Sequence, residues 1–180
     1  VKKRTGVTIL AAIGVVAIAA AVIIFKPWLL FVDVRVDEAL PSLEPRPSVS
    51  AEPSAPATST PDPVPVELTS GQFTSHEHET SGIARIIENP DGSLVLTLEN
   101  LSTSNGPDVH VWLSGADVVE GRDGWFVAGG APFVDLGPIK GNQGNQVYEI
   151  PAGTDVSAYP SVSLWCVQFG VSFGAAQFVV

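Results

Sequence analysis

The 180-residue chain holds one cysteine, Cys166, three histidines and no methionine, and these counts bound its chemistry. A single cysteine excludes an intrachain disulfide framework and a cysteine-rich zinc site. Without methionine no thioether can act as a ligand. Cys166 lies in Val162-Ser163-Leu164-Trp165-Cys166-Val167-Gln168-Phe169, a stretch apolar enough to be a central strand covered on both faces. Alternation puts Cys166 on the face of Val162 and Leu164. Two readings follow: a buried, inert thiol packing as a small hydrophobe, or a redox-active or prosthetic-group-ligating sulfur. Outside the cytoplasm a lone thiol meets oxidants, so it should be either hidden or used. His76 and His78 stand two apart in Thr74-Ser75-His76-Glu77-His78-Glu79 and would share one side of an extended segment. Such a pair could hold a metal, with Glu77 or Glu79 adding oxygen ligands, although two exposed histidines in an acidic loop are also ordinary. His110 belongs to a different strand. A blue-copper site is disfavoured, because no histidine follows Cys166 and no methionine exists. Covalent c-type haem attachment needs a second cysteine and a following histidine, which are lacking. No Ser-His-Asp order or paired-carboxylate motif supports a hydrolase. Gly129-Gly130 and Gly141-Asn142-Gln143-Gly144 read as turns, not phosphate loops, because neither opens a helix.

Composition divides the chain that must position these groups into three parts. Residues 7–25 run for nineteen positions without a charge, preceded by Lys2, Lys3 and Arg4 and followed by Lys26-Pro27-Trp28. As a helix the run rises ~28 Å, close to a ~30 Å hydrocarbon core. It exceeds a signal peptide's apolar core and lacks a clear cleavage site. A transmembrane signal-anchor over residues 7–30 is therefore expected at the plasma membrane, single-pass. Residues 1–6 are then cytoplasmic and residues 31–180 extracytoplasmic. Eight of the fifteen prolines fall between residues 41 and 65, among Ser, Thr, Ala and Glu, so residues 41–67 are expected to be a disordered spacer.

Residues 68–180 change to short apolar stretches with turn punctuation. Leu94, Leu96 and Leu98 alternate with Ser93, Thr97 and Glu99, and Asn89-Pro90-Asp91-Gly92 makes a turn back to Gly82–Glu88. Val109, Val111 and Leu113 alternate with His110, Trp112 and Ser114. Residues 146–150, 162–169 and 175–180 are further strand candidates, and nothing after residue 68 sustains helical periodicity. The expected fold is all-β, a sandwich or barrel. Three basic residues against twelve acidic ones after residue 67 remove any electrostatic footing for nucleic acid.

Several stretches, in order, resemble the electron-transfer domain family known as DM-thirteen, often found beside DOMON domains. They are Gly71-Gln72-Phe73, Thr80-Ser81-Gly82-Ile83-Ala84, Leu94-Val95-Leu96, and Gly106-Pro107-Asp108-Val109-His110-Val111-Trp112-Leu113-Ser114. Asp135 to Gly141, Gly144 to Pro151, and Ser163-Leu164-Trp165-Cys166 with Phe169, Phe173 and Ala175 complete them. The family's characteristic cysteine corresponds to Cys166. The resemblance implies a β-rich redox or electron-transfer module using a bare thiol or a cysteine-held group such as haem, together with a redox partner protein. No DOMON or haem-binding domain accompanies it in this chain. The alternative is a non-catalytic extracytoplasmic binding or structural domain in which Cys166 fills the core.

Overall fold

The computed structural model describes residues 2–43 and 64–179, with the side chains of 12–29, 32–43 and 64–179. Helix α1 spans Lys2–Phe25. It ends there because Pro27 disfavours a helical conformation at the residue before it, and Lys26 accordingly turns left-handed with φ 42°. A 3-10 turn, Pro27–Phe31, follows. The helix is thus shorter at its carboxyl end than the span expected to reach residue 30. Among the described residues no helix is long and apolar enough to cross a membrane. The crossing expected over 7–30 is not supported within them.

Nine strands form one curled sheet: β1 Arg35–Asp37, β2 Val66–Ser75, β3 Ser81–Glu88, β4 Leu94–Ser102, β5 Val109–Ser114, β6 Phe133–Pro138, β7 Gln143–Ile150, β8 Ser161–Cys166 and β9 Val171–Gln177. Their order is β1-β7-β4-β3-β2-β9-β8-β5-β6. The all-β expectation holds, and the architecture is a sheet folded over on itself. The fold line is β2. Its first part pairs with β3 from Val66 to Gln72, and its last three residues pair with β9 from Phe73 to Ser75. One strand therefore serves two leaves, and their inner faces meet in a single core.

Alternation decides what enters that core. Leu96 and Leu98 of β4, Val111 and Leu113 of β5, and Val162 and Leu164 of β8 are fully buried in it, with Ile86, Phe173 and Tyr148. The expected hairpin is the β3–β4 pair, with Ile86 opposite Leu96. Strand β8 stops at Cys166 and turns at Val167–Gly170, where the Gly170 N–H donates to the Cys166 carbonyl at 2.8 Å. The sequence pattern ran that strand on to Phe169, because Val167 and Phe169 are apolar. In the fold both are exposed turn residues.

The outer domain also begins earlier than residue 68. Strand β1 pairs in parallel with β7, Arg35 opposite Gln143 and Asp37 opposite Asn145. Buried Asn142 fastens the approach to β1. Its Oδ1 accepts from the Val34 N–H at 2.7 Å, and its Nδ2 donates to Asp33 Oδ1 and to the Thr103 carbonyl. At the far end Glu38 accepts from Lys140 Nζ and from the Val147 N–H. That contact holds its carboxyl below the usual value, with the Lys140 hydrogen bond the largest cause. The proline-rich segment therefore leaves from β1 and returns to β2, both in the same sheet. Residues 44–63, most of the expected spacer, lie outside the described residues.

Removing Asn142 leaves a buried carbonyl and an amide of the strap without partners. Asn142→Ala should cost about 2–3 kcal/mol, since unsatisfied buried polar groups cost ~1–3 kcal/mol each. Urea unfolding of the full chain checks it. A loss under 0.5 kcal/mol, a threshold set by ordinary surface substitutions at roughly ±0.5 kcal/mol, would mean the strap does not bind as drawn.

Candidate functional site: a core thiol behind an aromatic face

The site centres on β8, whose six residues are all buried. The strand pairs with β5 on one side, Cys166 opposite Val109 and His110 opposite Trp165, and with β9 on the other, Cys166 opposite Val171. Cys166 is 0% exposed and sits in the main core, as the alternation with Val162 and Leu164 required. Burial pushes its thiol above the ordinary value of 9.0, and the charge of Asp108 adds to that rise. Hydrogen bonds from the backbone of Phe169, Gln168 and Asp108 work the other way without prevailing. The result is a protonated, weakly nucleophilic sulfur in the closed fold. It is one residue from solvent along the chain, because Val167 is 44% exposed.

The opposite face of β8 carries Trp165. Its indole stacks on Trp112 of β5 with centroids 5.1 Å apart, and Trp112 stacks on Phe133 of β6 at 3.7 Å and 7°. A 3-10 segment, Arg122–Gly130, roofs this aromatic row, with Ala128 buried against both indoles. Gly129 lies so close that a Cβ there would meet Trp165 ring carbons at 2.6 Å. The close approach, not a special dihedral, requires glycine. Trp112 Nε1 is buried beneath the roof, with no hydrogen-bond partner among the described residues.

Histidines 76 and 78 do not converge. His76 Nδ1 lies 2.8 Å from Ser172 Oγ, which receives the Ser163 hydroxyl at 2.9 Å. His78 packs on the Phe173 ring at 3.9 Å and pairs with Glu77. Among the described residues no cluster of three His, Cys, Asp or Glu side chains could hold a metal ion. The two rings meet successive residues of β9, His76 at Ser172 and His78 at Phe173, whose side chains alternate between the faces of that strand. His110 lies elsewhere, held at Nδ1 by Asp135 at 2.9 Å and at Nε2 by Asp108 at 3.2 Å. The sequence marked Asp108-Val109-His110 but gave no sign that Asp135 reaches it from the neighbouring strand β6.

A haem does not fit at Cys166. Cys166 is 0% exposed among core residues, so no open space lies beside its sulfur for such a group. What the arrangement offers instead is a lone thiol closed off by one tight turn.

A curled, mostly antiparallel sheet with a single thiol at the end of its doubly covered strand defines the class: a β-rich domain with one cysteine. The chain belongs to the family described as Electron transfer DM13, which matches residues 72–178, more than half of its length. No curated protein and no solved structure matches the chain. The matched region takes in the last four residues of β2, β3 to β9 and Cys166, and it leaves out α1 and the β1 strap.

His76 gives a pH signature. Burial lowers its proton affinity below the ordinary value of 6.5, and the nearby Val119 carbonyl offsets only part of this, leaving Nε2 buried without a well-formed hydrogen bond. The unfolded chain then takes up a proton near pH 6.5 while the folded chain resists. Stability should therefore fall as pH drops below about 6.5, ahead of ordinary carboxylate titration. Urea midpoints between pH 7.5 and 5 should decline in the native protein and flatten in His76→Asn. A native midpoint constant over that interval would contradict the assignment.

Proposed function

We propose that the chain is an extracytoplasmic redox module in which Cys166 exchanges with a disulfide on a partner protein. The electron-transfer family supplies the class, and the observation that carries the mechanism is the position of Cys166 immediately before the exposed Val167–Gly170 turn. Loosening that turn exposes the sulfur without dismantling β5, β8 and β9. The step balances simply. The Cys166 thiol, deprotonated on exposure, attacks one sulfur of the partner disulfide, a mixed disulfide forms, and the second partner sulfur leaves as a thiol after taking a proton. A high thiol pKa makes the thiolate scarce, so exchange is slow and gated by opening.

Anchorage at the plasma membrane, amino end inside, belongs to the same proposal. It rests on the nineteen uncharged residues 7–25 with their basic flank, and on the apolar side chains that α1 leaves exposed, including Ile13, Val15, Val16 and Ile23. A second reading is favoured by one observation: Cys166 is 0% exposed, as expected of an inert core thiol in a binding or structural domain.

The two readings part in one experiment. Folded protein incubated with glutathione disulfide at pH 8 should gain one glutathione by mass, removable by a reducing thiol and absent from Cys166→Ala. The adduct should form faster up to and beyond pH 9, following the raised thiol. Cys166→Ala should cost only about 1 kcal/mol, the scale of a small cavity, so the variant remains folded. An adduct that appears only in denaturant would establish the inert-core reading.

A further inference from the structure

We propose that the β8–β9 turn, Val167–Gly170, rests on the outer surface of the lipid bilayer, so that the Cys166 end of the domain faces the membrane. The inference rests on the anchor reading above and adds an orientation to it. Two independent features carry it. The first is the strap. After Phe25 only Lys26 to Phe31 intervene before Val32, whose carbonyl accepts from Asn105 Nδ2 at 3.3 Å, and Val34 is bonded to Asn142. Five of those residues form the 3-10 turn, which rises ~10 Å at ~2.0 Å per residue. The domain is thus fastened close to the end of α1, and the proline-rich segment, which starts after β1, cannot lift it away.

The second feature is the turn itself. Val167, Gln168, Phe169 and Gly170 carry no charge, and Val167 and Phe169 are 44% and 52% exposed. The Phe169 ring stacks on Phe25 at 5.9 Å with planes 5° apart. Gln168 Nε2 donates to the Ile24 carbonyl at 3.2 Å. Trp28, 46% exposed, stands three residues past Phe25, where an indole suits the headgroup boundary. The apolar turn is therefore continuous with the apolar helix end. Lipid is the occupant, because the surface adjoining the turn is the same helix that the anchor reading places in lipid. A disulfide partner of Cys166 would accordingly have to meet it at the membrane surface, as the turn lifts from lipid.

The test uses the full chain in phosphatidylcholine vesicles. In a Cys166→Ala background, Val167→Cys and, separately, Phe169→Cys carry an environment-sensitive nitrobenzoxadiazole label. Ser157→Cys, exposed before the opposite end of β8, is the control. Labels at 167 and 169 should shift to the blue and be quenched by lipid-borne nitroxide at least twofold more than the label at 157. A chain that floats with vesicles while the turn labels respond only to aqueous iodide, as at 157, overturns the orientation and leaves the anchor standing. A chain that does not float overturns both.

Discussion

The rest of the structure depends on β8 being covered on both faces. Strand side chains alternate, so one face of β8 gives Val162, Leu164 and Cys166 to the core, and the other gives Ser163 and Trp165 to the space beneath the Arg122–Gly130 roof. A slip of one residue would put Trp165 into the core and the thiol under the roof, which neither space accommodates. The register is therefore strongly specified. The cost is visible in two buried nitrogens, His76 Nε2 and Trp112 Nε1, that lack good partners among the described residues. Each such group costs ~1–3 kcal/mol, whereas full burial of each large apolar side chain contributes ~1.5–3 kcal/mol. With Leu164, Val162, Trp165 and Trp112 all buried, packing wins.

That constraint shapes the thiol. The same burial that fixes the register raises the pKa of Cys166 and removes it from attack. The strand is secured along its length by β5 and β9, but beyond Cys166 the chain leaves the sheet in a four-residue turn with two apolar side chains exposed. In the redox reading proposed above, access to sulfur is set by how easily the turn loosens. A protected thiol of this kind suits occasional exchange with a matched partner better than rapid reaction with any oxidant.

Much of the sheet was legible because its strands alternate. Leu94–Leu98 and Val109–Leu113 showed which residues share a face, and the core contains Leu96, Leu98, Val111 and Leu113 accordingly. Strand β1 was not legible, since Arg35-Val36-Asp37 is three residues long and gains its place only by pairing with β7 more than a hundred residues away. Strand β6 was hidden by Pro138 and by polar Asp135, whose role is to meet His110 across the sheet. The length of β8 was overestimated because an apolar pair in a turn looks like strand. At β8, alternation put Cys166 on the face of Val162 and Leu164, and all three side chains lie in the core. The sequence could not show that His76 binds Ser172 while His78 packs on Phe173, because both partners lie on β9, far along the chain.

The most direct measurement of the central claim is the denaturant dependence of Cys166 labelling under native conditions. The rate of reaction with a small thiol reagent is followed as urea rises from zero to just below the unfolding transition. Opening of the Val167–Gly170 turn exposes little surface, so the account predicts a labelling rate nearly independent of urea at low concentrations, joining the global unfolding line only near the transition. A rate that follows the full unfolding slope from zero urea would show that the sulfur is reached only when the whole domain unfolds, and would contradict the account.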